Sequence, residues 1–357
     1  MSFLFAFLGF AALIILHELG HFTAAKAVGM RVERFSLFFP PLIARYRRGE
    51  TEYAIGAIPL GGYVKITGMN PAEEIPPAVA HRAYYRQPVW KRIVVIGAGP
   101  AVNIALAFLI LWVLLWANGL AEGNGRVERV TAEPAKGALR PGDQVVSVDG
   151  RRGSFPELRE QISSHRCAGP PVDGCRAATP ATVVVVNDGQ ARTLRLAPVY
   201  SKAEDDMFIG FQTGATVRPI GPAEAADEAL YRMWFFTSKT VETIAGIFQA
   251  DKRDDISGVV GSYEVTRQTI ELDTERAIYL LAIISLSLGV INLFPFLPLD
   301  GGHIFWALAE KVRGRAIPFS VMERAGFVGF VLVIALFMIG LTNDVGRLTG
   351  EGFGVPR

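Results

Sequence analysis

Four apolar stretches, at about residues 3–28, 93–118, 277–299 and 325–341, restrict this chain more than any other feature. Each is long enough and poor enough in charge to be a membrane helix. In hydrocarbon every backbone N–H and C=O must be paired within the protein, so such runs form helices. Half of the 357 residues are hydrophobic and 20% are charged, with mean hydropathy +0.31. That mixture fits segregation into membrane spans and polar domains. The expectation is a polytopic α-helical membrane protein with about four transmembrane helices. The first stretch lacks the charged amino-terminal region of a cleavable signal peptide. A net charge of +2 gives no sign of a nucleic-acid partner.

Basic residues set the expected orientation. The connection between the first two stretches carries Arg31, Arg34, Arg45, Arg47, Arg48, Lys65, Arg82, Arg86, Lys91 and Arg92. The connection between the third and fourth carries Lys311, Arg313, Arg315 and Arg324. The positive-inside rule puts both on the cytoplasmic side, with both termini and the central polar region outside. Cys167 and Cys175 lie in that central region, as a disulfide closing a short loop or as two free surface thiols. An oxidising exterior supports the disulfide.

The polar regions read as follows. Residues 32–66 alternate and are rich in aromatic and β-branched side chains, predicting short antiparallel strands over Val32–Phe38, Glu52–Ile55 and Tyr63–Ile66. The two readings are a small cytoplasmic β-subdomain and a membrane-associated β-element whose edge can receive an extended chain. Residues 70–80 read as a flexible loop. Residues 122–200 predict a compact β-rich domain, with strands at Gly125–Val130, Gln144–Val148, Thr182–Val186 and Thr193–Pro198 and a helix at Glu157–Ser163. In 218–250, Trp234, Phe235, Phe236, Ile244, Ile247 and Phe248 outline the apolar face of an interfacial helix or of one packed on the β-rich domain.

His17-Glu18-Leu-Gly-His21 lies inside the first apolar stretch. On a helix His17 and His21 are one turn apart on the same side. Two imidazoles so placed can hold Zn²⁺, and Glu18 can take a proton from the water that the metal activates. The bland alternative is a pair of histidines bonded to neighbouring carbonyls. Three polar groups in one turn at membrane depth need a joint purpose, which favours the metal. Zinc needs a further protein ligand and an open position. Asp300 and His303 both follow the third stretch, where Pro295 and Pro298 forbid a regular helix. Non-helical backbone at that depth is tolerated where it lines a cavity or is buried in protein. Spacing alone does not choose between the two. His81 and His165 are not placed to share the site.

Four motifs then carry a resemblance that spans nearly the whole chain. They are His17-Glu-Leu-Gly-His21, Pro59-Leu-Gly-Gly-Tyr-Val-Lys65, Gly99-Pro-Ala-Val-Asn103 and Asn292-Leu-Phe-Pro-Phe-Leu-Pro-Leu-Asp300-Gly301. Together they resemble the bacterial site-2 proteases, intramembrane zinc metalloproteases of the RseP type. Arg140-Pro-Gly-Asp-Gln-Val-Val-Ser-Val-Asp-Gly150 resembles the core of a PDZ domain, implying one such extracytoplasmic domain. The resemblance implies His17, His21 and Asp300 as zinc ligands and Glu18 as catalytic acid/base. It implies that Asn292 holds substrate backbone and that Gly61, Gly62 and Tyr63 belong to a β-element pairing with extended substrate. Asn103 either lines the site or caps a helix break after Gly99-Pro100. The implied substrates are single-span membrane proteins already trimmed outside, anti-sigma factors and signal-peptide remnants, met in the lipid bilayer of the bacterial cytoplasmic (inner) membrane. The active site would lie towards the cytoplasmic side.

The expected layout is transmembrane helix 1 at 1–30, the β-element and loop at 31–88, helix 2 at 89–120 and the PDZ domain at 121–200. A linker with an amphipathic helix follows at 201–275, then helix 3 with its broken end at 276–306, a cytoplasmic loop at 307–324, and helix 4 with the tail at 325–357. Two rival readings are a membrane metalloprotease with a soluble-type site facing the cytoplasm, and a catalytically inactive membrane-anchored PDZ scaffold. The first class commonly uses a glutamate as third ligand.

Overall fold

The computed structural model describes residues 2–70, 73–202, 206–246, 258–315 and 317–350. Chain order begins α1 (Ser2–Ala27), β1 (Val32–Arg48), β2 (Thr51–Ile66) and α2 (Val89–Asn118). It continues β3 (Leu120–Val130), β4 (Gln144–Val148), α3 (Phe155–Ser163), β5 (Ala181–Asn187), β6 (Gln190–Leu196), β7 (Val199–Ser201), β8 (Asp206–Phe208) and β9 (Phe211–Arg218). It ends with α4 (Pro222–Ala245), α5 (Val259–Leu272), α6 (Thr274–Asn292), α7 (Asp300–Arg313) and α8 (Phe319–Thr349). Two compact units result, Met1–Leu114 with Pro222–Arg357, and Leu115–Gly221.

Among the described residues four helices are long and apolar enough to cross a membrane: Leu4–Ala27, Val89–Asn118, Thr274–Asn292 and Ser320–Thr349. The third is shorter than expected. It stops at Asn292, residues 293–299 form neither helix nor strand, and a new helix begins at Asp300. The expected cytoplasmic loop at 307–324 therefore holds the second half of α7. Its sequence is amphipathic, and Gly314 ends it in the left-handed conformation at φ 71°. The fourth helix is longer than its apolar core, since its polar ends continue the same helix. Residues 259–272, expected as linker, form α5. Its sparse apolar residues do not announce a helix, and packing against α1 and α6 supplies what local sequence does not.

The β-element is one pair of long strands that each double back. Leu37 is flanked by Gly62 on one side and Ile55 on the other, and residues 44–48 pair with 51–55 beyond. The short strands read from sequence are thus segments of β1 and β2. The expected loop at 70–80 is partly built: Pro77–Arg82 is a 3₁₀ turn, and Glu73 accepts from Gly68 N at 2.9 Å and pairs with Lys65 at 3.2 Å. Beneath the sheet, Ala25, Met30, Val32, Ile66, Tyr84, Val95 and Ile96 form a buried core joining α1, the sheet and α2.

The end of α1 is fastened by charge. Lys91 Nζ donates to Val28 O (2.9 Å) and Arg82 Nε to Gly29 O (3.1 Å), the carbonyls just past the helix. Glu50, at the β1–β2 turn, accepts from Arg82 Nη1 (2.7 Å), Arg82 Nη2 (2.8 Å) and Lys26 Nζ (2.7 Å). Cations at this end also complement the helix dipole. In α4, Ala225, Ala229 and Met233 are buried while Trp234 is 72% exposed. The Phe236 ring sits 6.4 Å from that of Tyr279 on α6. Of the expected apolar face, Ile247 and Phe248 lie outside the described residues.

The second unit carries a five-stranded sheet of order β6-β5-β4-β3-β9. Leu158 and Ile162 of α3 pack with Val127, Val145, Val183 and Val185 in its core. Strand β9 pairs with β3 from Leu120↔Arg218 to Val130↔Phe211, so this unit reaches past residue 200, its expected end. The added strand, Phe211–Arg218, carries few large apolar residues, which reads as linker in sequence. Fully buried Asp143 accepts from Arg140 N (2.8 Å), Asn187 Nδ2 (2.9 Å) and Arg192 Nη2 (2.5 Å). A disulfide joins Cys167 to Cys175, whose Cα atoms are 6.0 Å apart.

Hydrogen bonds from Arg82, then Lys26, pull the Glu50 carboxyl from 4.5 down to about 2. Its folded value is lowered, so its stabilisation is complete above about pH 4.5 and fades as pH falls towards 2. The triad is partly exposed, which limits its size. Glu50→Gln should lower the thermal midpoint at pH 7 by about 2–4 °C. The gap from wild type should close between about pH 4.5 and pH 2.

Candidate active site

Residues 17 and 300 meet in space. On α1, His17 and His21 are buried and one turn apart. Asp300, the first residue of α7, points its Oδ2 at both. Three distances are equal: His17 Nε2 to His21 Nε2, His17 Nε2 to Asp300 Oδ2, and His21 Nε2 to Asp300 Oδ2 are each 3.2 Å. Asp300 Oδ2 is buried yet makes no well-aligned hydrogen bond, so its lone pairs and those of the imidazoles converge on a shared point. Ligands 2.0–2.1 Å from a tetrahedral zinc lie about 3.3–3.4 Å apart. The donor triangle fits that ion. Among the described residues this is the one group of three or more His, Cys, Asp or Glu side chains so arranged.

One of the two histidines is oriented by a neighbouring helix. His21 Nδ1 donates to Val95 O of α2 at 2.9 Å, which assigns the proton to Nδ1 and leaves the Nε2 lone pair free. His17 Nδ1 is buried without a hydrogen-bond partner among the described residues.

Glycines make the crossing of α1 and α2 tight enough for this. A Cβ on Gly20 would lie 2.6 Å from Ala98 O. A Cβ on Gly99 would overlap His21 Nε2 and lie 2.6 Å from His21 Cε1 and 2.9 Å from His17 Cε1. Gly99 is thus a site residue that sequence reasoning passed over. Its signal was there, in Gly97-Ala-Gly99 within an apolar helix, but small residues in such helices are common.

The remaining expected residues divide. Glu18, partly buried, sits between the two histidines in sequence. A Cβ on Gly62 would lie 2.8 Å from Glu18 Cγ, so β2 runs directly over this carboxylate. Gly61 faces the Phe39 ring. The Tyr63 hydroxyl accepts from Arg34 Nη1 at 3.1 Å, and its ring stacks on Phe39 at 6.1 Å. Asn292 ends α6 and is partly buried. Asn103 is wholly buried, and its side-chain nitrogen and oxygen have no partner among the described residues. It does not cap a helix break, because α2 continues through Gly99-Pro100. Its backbone oxygen accepts from Ser285 Oγ of the neighbouring α6 at 3.0 Å. His303 is partly buried one turn after Asp300, outside the triangle. His81 is exposed in the 3₁₀ turn, and His165 belongs to the second unit, bonded to Asp149 at 2.9 Å.

Comparison with known proteins agrees with this chemistry. The model of peptidase family M50 matches residues 5–336. A putative zinc metalloprotease of Rhizobium meliloti is 29% identical, over 95% of this chain and 94% of its own. A putative zinc metalloprotease of a Nostoc species is 29% identical, over 98% of each. The zinc metalloprotease Rip1 of Mycobacterium tuberculosis is 31% identical, over 93% of this chain and 94% of its own. The chain belongs to peptidase family M50, the site-2 protease family, and is a zinc metalloprotease with four helices suited to a membrane.

Proposed function

We propose that His17, His21 and Asp300 hold the zinc, that Glu18 is the general acid/base, and that the enzyme cleaves peptide bonds inside the transmembrane segments of its substrates. The observation carrying this reading is the 3.2 Å donor triangle, two of whose corners stand on an apolar helix long enough to span a bilayer. Zinc at such a donor set supplies Lewis acidity, lowering the pKa of water and polarising a carbonyl. Glu18 takes the proton from the attacking water and returns it to the leaving amine. A helical substrate hides its carbonyls in its own hydrogen bonds and must unwind first. The strand carrying Gly61, Gly62 and Tyr63 passes over Glu18, which supports β2 as the edge that holds the unwound segment. Asn292 is assigned to bind substrate backbone at the end of α6. Asn103 lines the α2 side of the site.

The five-stranded unit, with its disulfide, is read as a PDZ domain on the oxidising side of the bacterial inner membrane. There it limits access to substrates already trimmed outside. Basic residues in the 31–92 and 311–324 connections support a cytoplasmic location for both. Both termini then lie outside, and the site lies towards the cytoplasmic side. The substrate class is single-span proteins, such as anti-sigma factors and signal-peptide remnants, cut in regulated intramembrane proteolysis.

Glu18→Gln should keep its zinc and lose cleavage of a single-span substrate by about 10²–10⁴-fold. Undiminished cleavage with bound zinc rules out the acid/base role. Gly99→Ala should act through the metal. The added methyl displaces both imidazoles, an overpacking that costs about 1–3 kcal/mol. Metal analysis of the purified variant should show depleted zinc, with cleavage down at least about tenfold.

A further inference from the structure

Arg92, in the first turn of α2, is 3% exposed. Its Nη1 and Nη2 donate to Glu310 Oε2 (3.0 Å) and Oε1 (2.7 Å), a two-pronged pair between α2 and α7. The guanidinium carbon lies 5.9 Å from the Tyr85 ring centroid, and Nε is buried without a partner among the described residues. Glu310 is partly exposed, but burying the guanidinium loses hydration that an apolar side chain would not lose, so stability alone does not account for it.

Its position does. Arg92, Val95 and Gly99 recur at helical spacing on one side of α2. Val95 O orients the His21 ring, and Gly99 makes room for both imidazoles. Arg92 grips the helix that brings the third donor. That helix needs gripping, because residues 293–299 form no helix or strand that could extend α6 rigidly into α7. The first turn of α7 is seated where Gly301 and Gly302 meet the backbone at Leu293 and Leu297. Ile304 packs against the core and Ala307 is buried at mid-helix, whereas no residue of α7 beyond Ala307 is buried. Glu310 is ten residues on from Asp300, roughly 15 Å along the axis, where a clamp has most leverage on direction.

We propose that Arg92 and Glu310 are a positioning pair for the zinc site, fixing the direction and rotation of α7 so that Asp300 reaches His17 and His21. The proposal rests on the reading of Asp300 as a zinc ligand. The test measures the zinc dissociation constant of the purified full-length enzyme by chelator competition, and the unfolding temperature of its zinc-stripped form. Asp300→Ala is measured first: an unchanged constant removes the metal-site reading itself. With that constant raised, Glu310→Gln should weaken zinc about 10–100-fold in the wild-type background and add nothing in the Asp300→Ala background. A lower unfolding temperature with unchanged zinc affinity overturns the proposal alone, as does equal weakening in both backgrounds. Glu310→Asp keeps the charge and shortens the reach, which guards against a variant that does not fold. It should weaken zinc several-fold, and unchanged affinity there also overturns the proposal.

Discussion

Everything at this site depends on how closely two helices cross. At Gly20 and Gly99, α1 and α2 approach until an added methyl would strike backbone or imidazole. Within lipid, apolar surface gains little by leaving its surroundings, so helices associate through close packing and polar contacts. Here the same crossing supplies both. The glycines bring the backbones together, and Val95 of α2 then offers His21 the carbonyl that orients its ring. A histidine at such depth without that acceptor leaves a buried N–H unpaired.

The third donor arrives from the far end of the chain, and the fold manages that distance in stages. The core of Met30, Val32, Ile66, Tyr84, Val95 and Ile96 ties α1, the β-element and α2 into one body, with Ile304 of α7 packed against it. The Glu50, Arg82 and Lys26 triad fixes the β1–β2 turn to the end of α1. That holds β2 over Glu18. The Glu18 carboxylate thus lies next to the strand that carries Gly62, and under the proposed function this joins proton transfer to the holding of extended backbone.

Much of the site was legible in the sequence because its logic is local or compositional. Helical spacing puts His17 and His21 together, and the apolar setting gives them a purpose. Asp300 was legible only through resemblance, since spacing left His303 open; the structure brings Asp300 to the imidazoles. Gly99 was missed because a steric requirement exists only once the partner helix is in place. The same limit explains α5, which is stabilised by tertiary packing, and β9, whose pairing with β3 spans almost a hundred residues. The helix break after Gly99-Pro100, one of the two readings of Asn103, does not occur. One proline costs one intrahelical bond, and the helix continues through it from Val89 to Asn118.

The central claim is that a carboxylate from residue 300 joins two imidazoles from one turn of α1 around a single zinc. X-ray absorption at the zinc edge of the purified enzyme tests it most directly. The account predicts a first shell of nitrogen and oxygen at about 2.0–2.1 Å, with scattering from two imidazoles and the remaining ligands oxygen. A shell containing three imidazoles would name His303 in place of Asp300, and a sulfur shell would place the metal elsewhere; either contradicts the account.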